Sequence, residues 1–393
     1  MTTPTIRKIL TRDFILGSCA QFTFILVFYM LVPTLPIYLA GSGADETEIG
    51  VLIGIFFVAA LGFRPVVGKA LERIPEKTFM ITGALLFALT SFAYLLAPPF
   101  WPFLVNRVVQ GIALALFHTA SYTLIANISP KSHWGQSFSY FLLAANLSLA
   151  VAPPVGIFLV NHFGFNVLFL VCSGASLCCL GIAVKLGSTR TAPMDHSSGR
   201  RTLFLDPKAV PPSVISFFNM IIWGALTAFF PLYAVSHGVA DPGLFFTAVA
   251  IMLLLCRGFG GRILDLYSKE KVAPPLIGTY IVSMAILAFS TNLPMFILVA
   301  VIFGIGNALL TPLVMAYALD RSGGAPGPVV GIYTAISDLG LGLGPVIMGI
   351  VVRFGGYSFM FLCLALTGVV NLAYFYFFLR KGRVLVKGTG KTL

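Results

Sequence analysis

The sequence predicts an all-α membrane protein, with twelve transmembrane helices in two pseudo-symmetric six-helix bundles and both termini cytoplasmic. Three observations predict it. Hydrophobic residues make up 58% of the 393-residue chain and charged residues 10%, where soluble domains carry roughly 45–50% and about 25%. Apolar runs of about 20 residues, long enough to cross a hydrocarbon core, recur from end to end. The second half also repeats the first. "RPVVGKALER" from Arg64 and "RGFGGRILDL" from Arg257 place an Arg, a Gly, a base, a Leu and an acid at the same relative positions, 193 residues apart.

The first run, near 14–39, follows Arg7, Lys8 and Arg12. At about 26 residues it is too long for the apolar region of a signal peptide and reads as a span. The second and third runs, near 47–67 and 78–98, flank a basic loop from Arg64 to Lys77. The fourth and fifth, near 101–127 and 134–160, hold polar residues. Continuous apolar flanks keep them helical, because irregular backbone against lipid leaves polar groups unpaired. The sixth, near 165–186, ends at "STRTAPMDHSSGRRTLFLDPKAVPP", the only long polar stretch. Its Ser, Pro, Gly and charge content marks a linker. Six more runs follow, near 212–236, 243–261, 273–291, 294–318, 328–352 and 356–380. The domains are therefore an N-terminal bundle over 1–187, a cytoplasmic linker over 188–211 and a C-terminal bundle with a short basic tail over 212–393.

Orientation follows from the bases. All of the 25 Lys and Arg residues except Arg107 and Arg353 fall in termini and connections on one face of such a bundle. Positive residues stay on the cytoplasmic side, so that face is cytoplasmic. The net charge of +12 is then a topology signal. Nucleic-acid binding is a poor explanation of it, since the bases are dispersed among short loops. The six cysteines all fall within spans and form no metal-like CxxC pair, which fits core packing and no metal or cofactor.

The repeat extends beyond the loop motif. "GIALALFHTASYTLIAN" from Gly111 matches "GIGNALLTPLVMAYALD" from Gly304 at offset 193, and "NLSLAVAPPVG" from Asn146 matches "DLGLGLGPVIMG" from Asp338 at offset 192. "LPIYLAGSG" from Leu35 resembles "FPLYAVSHG" from Phe230 at offset 195. Two parallel six-helix halves form a known transporter plan. With these motifs the whole chain resembles the major facilitator superfamily, and three of them resemble its twelve-span drug and metabolite efflux branch. The family's loop signature Gly-x-x-x-Asp-Arg-x-Gly-Arg-Arg is approximated by Gly68 to Lys77, with Pro75 and Glu76 departing from it.

In the first copy Arg64, Gly68, Lys69, Glu72 and Arg73, and in the second Arg257, Gly261, Arg262 and Asp265, are the candidate conformational gate. The glycines permit close helix approach. The acid at the cytoplasmic edge can pair with Arg73, or cap a helix of the other half, as the resemblance implies near Gly327 to Gly331, or simply fix topology. The Arg-x-x-Gln-Gly motif appears as Arg107, Gln110 and Gly111, and by resemblance Arg107 is associated with proton coupling. Otherwise it snorkels to the interface. The Gly-rich antiporter pattern is sparse in the fifth span, at Pro153 and Gly156 with Ala152. It is fuller in the eleventh, at Gly331, Gly340, Gly344, Pro345 and Gly349.

Asp338, deep in the eleventh span, is the first candidate proton carrier, since ionising a carboxylate there costs several kcal/mol. A structural carboxyl hydrogen-bonded to Ser337 is the alternative. His118 is a candidate proton relay or substrate contact, or a satisfied core histidine. The wall of the expected cavity takes Gln21, Tyr29, Gln110, His118, Asn219, Trp223, Tyr233, Asn307 and Tyr317. Aromatics and amides of this kind suit a mostly apolar or neutral polar solute. The first span carries no acid within its apolar run, which argues against a broad pump for cationic drugs.

The function this implies is proton-coupled efflux of a small organic compound by a monomer in the bacterial inner membrane, with protons and lipid as its other partners. Uptake by proton symport or uniport, of a sugar or carboxylate, and a transport-inactive membrane sensor or scaffold are the alternatives. An enzyme is not expected, because no metal cluster, nucleophile elbow or phosphate loop is present.

Overall fold

A chain this apolar satisfies its backbone polar groups within each segment, and helices are the way to do so in lipid. In the computed structural model, which describes residues 10–96, 100–130, 134–187, 209–266, 268–322 and 326–380, ten helices and a terminal π turn are present among the described residues. They are α1 (Arg12–Gly41), α2 (Glu46–Ala70), α3 (Glu76–Ala93), α4 (Trp101–Ile128) and α5 (Trp134–Val184). The second half supplies α6 (Val210–Ser236), α7 (Gly243–Leu266), α8 (Lys269–Leu287), α9 (Leu293–Ser322) and α10 (Pro326–Tyr374), with the π turn over Phe375–Arg380. Seven of the helices are long and apolar enough to cross a membrane.

Two helices exceed what one span needs. α5 has 51 residues and α10 has 49. At 1.5 Å per residue each would be a rod of roughly 75 Å, more than twice the hydrocarbon thickness. Both are broken. Gly164 (φ 80, ψ 173) and Gly356 (φ 76, ψ 177) leave helical geometry in a region that L side chains rarely adopt. The sequence places the span boundaries of 160/165 and 352/356 beside these two glycines.

Local signals set the other ends. Thr11 caps α1 by accepting from the Phe14 N–H at 3.3 Å. Asp45 and Glu48 form a reciprocal capping box at the start of α2, at 2.8 and 3.1 Å. Most of the expected linker lies outside the described residues, as do Lys131 and the tail beyond 380; α6 already begins at Val210.

The helices form two compact units. One holds the described residues up to Ala44 and from Ile55 to 187; the other holds Asp45–Gly54 and the described residues from 209 on. In the first, α1 packs on α5, with the Ser148 hydroxyl on the Phe22 carbonyl at 2.9 Å. A Cβ on Gly156 would lie 2.8 Å from the Met30 carbonyl oxygen. Phe24 stacks on Phe117 at 4.0 Å between α1 and α4.

In the second unit α6 packs on α10 in the same way. A Cβ at Gly340 or Gly344 would fall on the backbone carbonyls of Phe217 or Ile221. One contact recurs residue for residue. Gly111 of α4 abuts the Phe56 carbonyl and Ala59 Cβ of α2, and Gly304 of α9 abuts the Val249 carbonyl and Met252 Cβ of α7. Every partner is displaced by the same 193 positions as the sequence repeat.

Candidate functional site

In the first unit a polar cluster is built around α4. Arg107 lies two turns in from the start of that helix and is 4% exposed, so it does not reach out to the interface. Its Nη1 donates to Gln110 Oε1 at 2.7 Å, and the Tyr94 hydroxyl of the α3 end donates to the same oxygen at 2.6 Å. The guanidinium carbon sits 4.4 Å above the Phe56 ring of α2. A cation in a dry interior needs such wrapping: a carbonyl dipole at one edge and an aromatic face at another. Both lone pairs of Gln110 Oε1 are taken, while its Nε2 is buried without a partner among the described residues.

Two turns further along the same helix stands His118, half-buried, its ring 4.6 Å from Tyr122. Arg64 of α2 lies within electrostatic range of it. The Ser121 hydroxyl lies 3.1 Å from Gln21 Oε1 of α1 and 3.0 Å from the His118 carbonyl. The structure thus gathers Arg107 with Gln110, and Gln21 with Ser121 one turn along α4 from His118. Tyr29 is half-buried beside Phe28.

The second unit holds the other candidates. Trp223 stacks on Phe303 at 5.5 Å, Phe303 meets Tyr280, and the Tyr280 hydroxyl donates to Asn307 Oδ1 at 3.3 Å. Thr311 donates to that same oxygen at 3.2 Å, and the Tyr333 hydroxyl donates to the Thr311 carbonyl at 3.4 Å. Asp338 is half-buried on α10, next to Ser337. The Ser337 hydroxyl bonds the Tyr333 carbonyl and the Ser216 hydroxyl, each at 2.7 Å. Tyr317 is buried.

Several expectations need correction. Asn219 Oδ1 accepts from Asn371 Nδ2 at 3.0 Å, which ties α6 to the second arm of α10. Tyr233 is likewise a tie, its hydroxyl donating to the Ser290 carbonyl at 2.7 Å from a 3% exposed side chain. Gly68 is not at a close helix contact here, since a Cβ on it would meet nothing within 4 Å; Gly331 is the same. Lys69, Glu72 and Arg73 are exposed, and among the described residues Glu72 forms no ion pair with Arg73. The side chains of Arg257, Gly261, Arg262 and Asp265 lie outside the described residues.

The glycines of α10 do more than the sequence suggests. Gly340 and Gly344 accept α6, while Pro345, Gly349 and Gly342 meet Gly50, Glu46 and Gly54 at the start of α2. The Gly50-x-x-x-Gly54 spacing was a legible small-residue signal for that approach. Asp45 there also pairs with Arg353 at 3.1 Å. Tyr94 and Phe56 carry no spacing signal, because only folding brings them to Arg107.

A groove of about 680 Å³ opens between α1 and the first arm of α5, lined by Phe14, Ile15, Phe22, Leu143 and Leu147, with Ser18 and Thr23 among few polar groups. Its lining is almost wholly apolar, and Ile15, Leu143 and Leu147 are exposed, as side chains facing lipid would be. None of its lining residues was a sequence candidate. Among the described residues, no cluster of three or more His, Cys, Asp or Glu side chains is placed to hold a metal.

A family model described as Major Facilitator Superfamily matches residues 17–257 and 213–391. The chain is 24% identical over 349 residues to the staphylopine export protein of Staphylococcus aureus (strain Mu50), covering 84% of this chain and 86% of that one. It is 22% identical over 353 residues to the quinolone resistance protein NorA of Staphylococcus aureus (strain COL), covering 87% and 90%. Among solved structures it is similar in fold to the nucleoside transporter NupG, with TM-score 0.75, 15% identity, and 94% and 100% of the two chains covered.

Proposed function

This chain belongs to the Major Facilitator Superfamily, and from that premise we propose that it exports a small organic solute in exchange for inward-moving protons. It is a transport protein and not an enzyme, as are the relatives it matches. The observation that carries export is the pair of relatives named for export and resistance, each aligned over more than four-fifths of this chain. Support from the chain's own chemistry is the buried, wrapped Arg107.

Twelve spans follow if the breaks at Gly164 and Gly356 each divide a long helix into two membrane crossings. Residues 1–187 and 212–393 are then the two bundles, 188–211 the linker, and the basic termini lie in the cytosol of a cell whose inner membrane holds the monomer. The two bundles expose the solute alternately to each side. Asp338 carries the proton, Arg107 takes part in proton coupling as the family resemblance implies, His118 relays protons or contacts the solute, and Glu72 latches the cytoplasmic side in one of the two states.

Everted vesicles test the reading. With the interior acidified, an exporter accumulates solute, and Asp338→Asn abolishes that accumulation while the protein still inserts and binds. Intact accumulation in Asp338→Asn removes the carrier role. Accumulation only under the opposite gradient makes the protein an importer.

A further inference from the structure

The second unit carries a wall of aromatic rings built from uncharged stretches of helix. Trp223 of α6 lies over Phe303 of α9, with ring centroids 5.5 Å apart and planes 14° from parallel. Phe246 of α7 meets the indole at 6.1 Å and 78°. Phe246 and Phe303 are fully buried, whereas Trp223 is half-buried and so is the outermost ring of the three. α6 contains no Asp, Glu, Lys or Arg, and in α8 and α9 such residues stand in the first and the last turn. On α10, Ser337 bonds Ser216, two turns back along α6 from Trp223, and Asp338 follows it.

Two N–H donors of this wall are unmet. Asn307 follows Phe303 by one turn on the same face of α9. Tyr280 joins the two, its ring 4.9 Å from Phe303 and its hydroxyl 3.3 Å from Asn307 Oδ1. Thr311 Oγ1 donates to the same oxygen at 3.2 Å, so both lone pairs are used and the amide is held one way round. Asn307 Nδ2 donates to nothing among the described residues. The Trp223 indole N–H, which is a donor only, is likewise unbonded among them. Both residues are half-buried, and donors in such settings are ordinarily matched.

Resting on the transport reading above, we propose that Trp223 and Asn307 form a subsite for a neutral, planar aromatic solute that bears carbonyl or ring-nitrogen acceptors. The solute's ring continues the Trp223–Phe303 stack in the offset geometry that aromatic quadrupoles favour. Its acceptors take the Asn307 and Trp223 N–H groups, neither of which calls for a charge. A neutral solute also avoids the desolvation cost an ion meets against apolar rings. Specificity comes from the donors, since an analogue without acceptors leaves them unpaired.

The test uses purified full-length protein with coumarin and caffeine, both planar, neutral and acceptor-bearing. Octahydrocoumarin keeps the lactone without the aromatic ring, and naphthalene keeps the rings without an acceptor. Coumarin and caffeine raise the melting temperature by mass action. Each control binds about tenfold more weakly or worse, a change of about 1.4 kcal/mol. Trp223 is one of three tryptophans; with Trp101 and Trp134 replaced by Phe, its emission is quenched as coumarin stacks. Trp223→Leu and Asn307→Leu each weaken coumarin binding about tenfold. Asn307→Asp keeps an oxygen for Tyr280 and Thr311 but loses the donors, so it does the same and serves if Asn307→Leu misfolds.

No binding of coumarin or caffeine, a control that binds equally well, unquenched Trp223 emission at saturation, or variants that bind unchanged overturn the subsite. A neutral glucoside of hydroxycoumarin, held back by a bilayer, separates this from the transport reading in everted vesicles with the interior acidified. Binding without proton-driven movement sinks transport and leaves the subsite standing. Proton-driven movement of another solute, with none of these probes bound, does the reverse.

Discussion

Tyr94 shows how a single side chain decides whether a buried cation is tolerable. Its hydroxyl fills the second lone pair of Gln110 Oε1, whose first is filled by Arg107. Removing the hydroxyl leaves that oxygen still bonded, so Tyr94→Phe costs about 1 kcal/mol. Gln110→Leu takes away an acceptor of the guanidinium itself and costs about 1.5–3 kcal/mol, the range for bonds to charged groups. Equilibrium unfolding of the detergent-solubilised protein measures both, and the reverse order rejects the network. Asp45 makes a second comparison. As the α2 cap it is worth about 1 kcal/mol. Its ion pair with Arg353, whose side chain is 58% exposed against 41% for Asp45, is worth less than about 1 kcal/mol. Asp45→Ala therefore destabilises more than Arg353→Gln in the same unfolding assay. The Arg-x-x-Gln spacing was visible in sequence; the tyrosine from another helix was not, because nothing local encodes its approach.

At the scale of elements, glycines of like appearance have opposite roles. A Cβ on Gly344 meets the Ile221 backbone carbonyl, which cannot rotate away as a side-chain tip can. Gly344→Ala therefore overpacks the α6–α10 contact and costs about 1–3 kcal/mol. Gly68 stands in open space near the end of α2. Gly68→Ala gains helix propensity there, up to about 1 kcal/mol. Paired melting curves check the difference in sign. The periodic glycines of α10 were legible as a packing face. Which helices they accept was not, since spacing defines a smooth stripe and says nothing of its partner. The two glycine breaks differ again. They lie beside the span boundaries that the sequence predicts, and there the backbone takes a conformation that L residues avoid.

For the whole molecule, the proposed latch makes Glu72 matter in one state only. Glu72 is exposed and without an ion pair to Arg73 among the described residues here. Glu72→Ala accordingly leaves the unfolding free energy within about 0.5 kcal/mol of the parent, the range for surface changes, yet shifts the outward/inward balance. Paired distance labels on the two bundles read that balance. An unmoved distribution removes the latch and leaves the loop charges as topology signals. The repeated glycine contact at Gly111 and Gly304 already ties both units to one ancestral packing rule.

Composition alone settled that this chain is helical and lives in lipid, because an apolar chain without strand pairing has no other way to close its backbone bonds. Its repeat predicts two like halves, and its glycines marked faces where helices would pack. Only the folded molecule decided that Asn219 and Tyr233 are ties between helices, that Gly68 touches nothing, and that Arg107 is held by Tyr94 and Phe56. Spacing along one helix fixes a face. What that face meets depends on rotations and approaches of other helices, which no single segment contains.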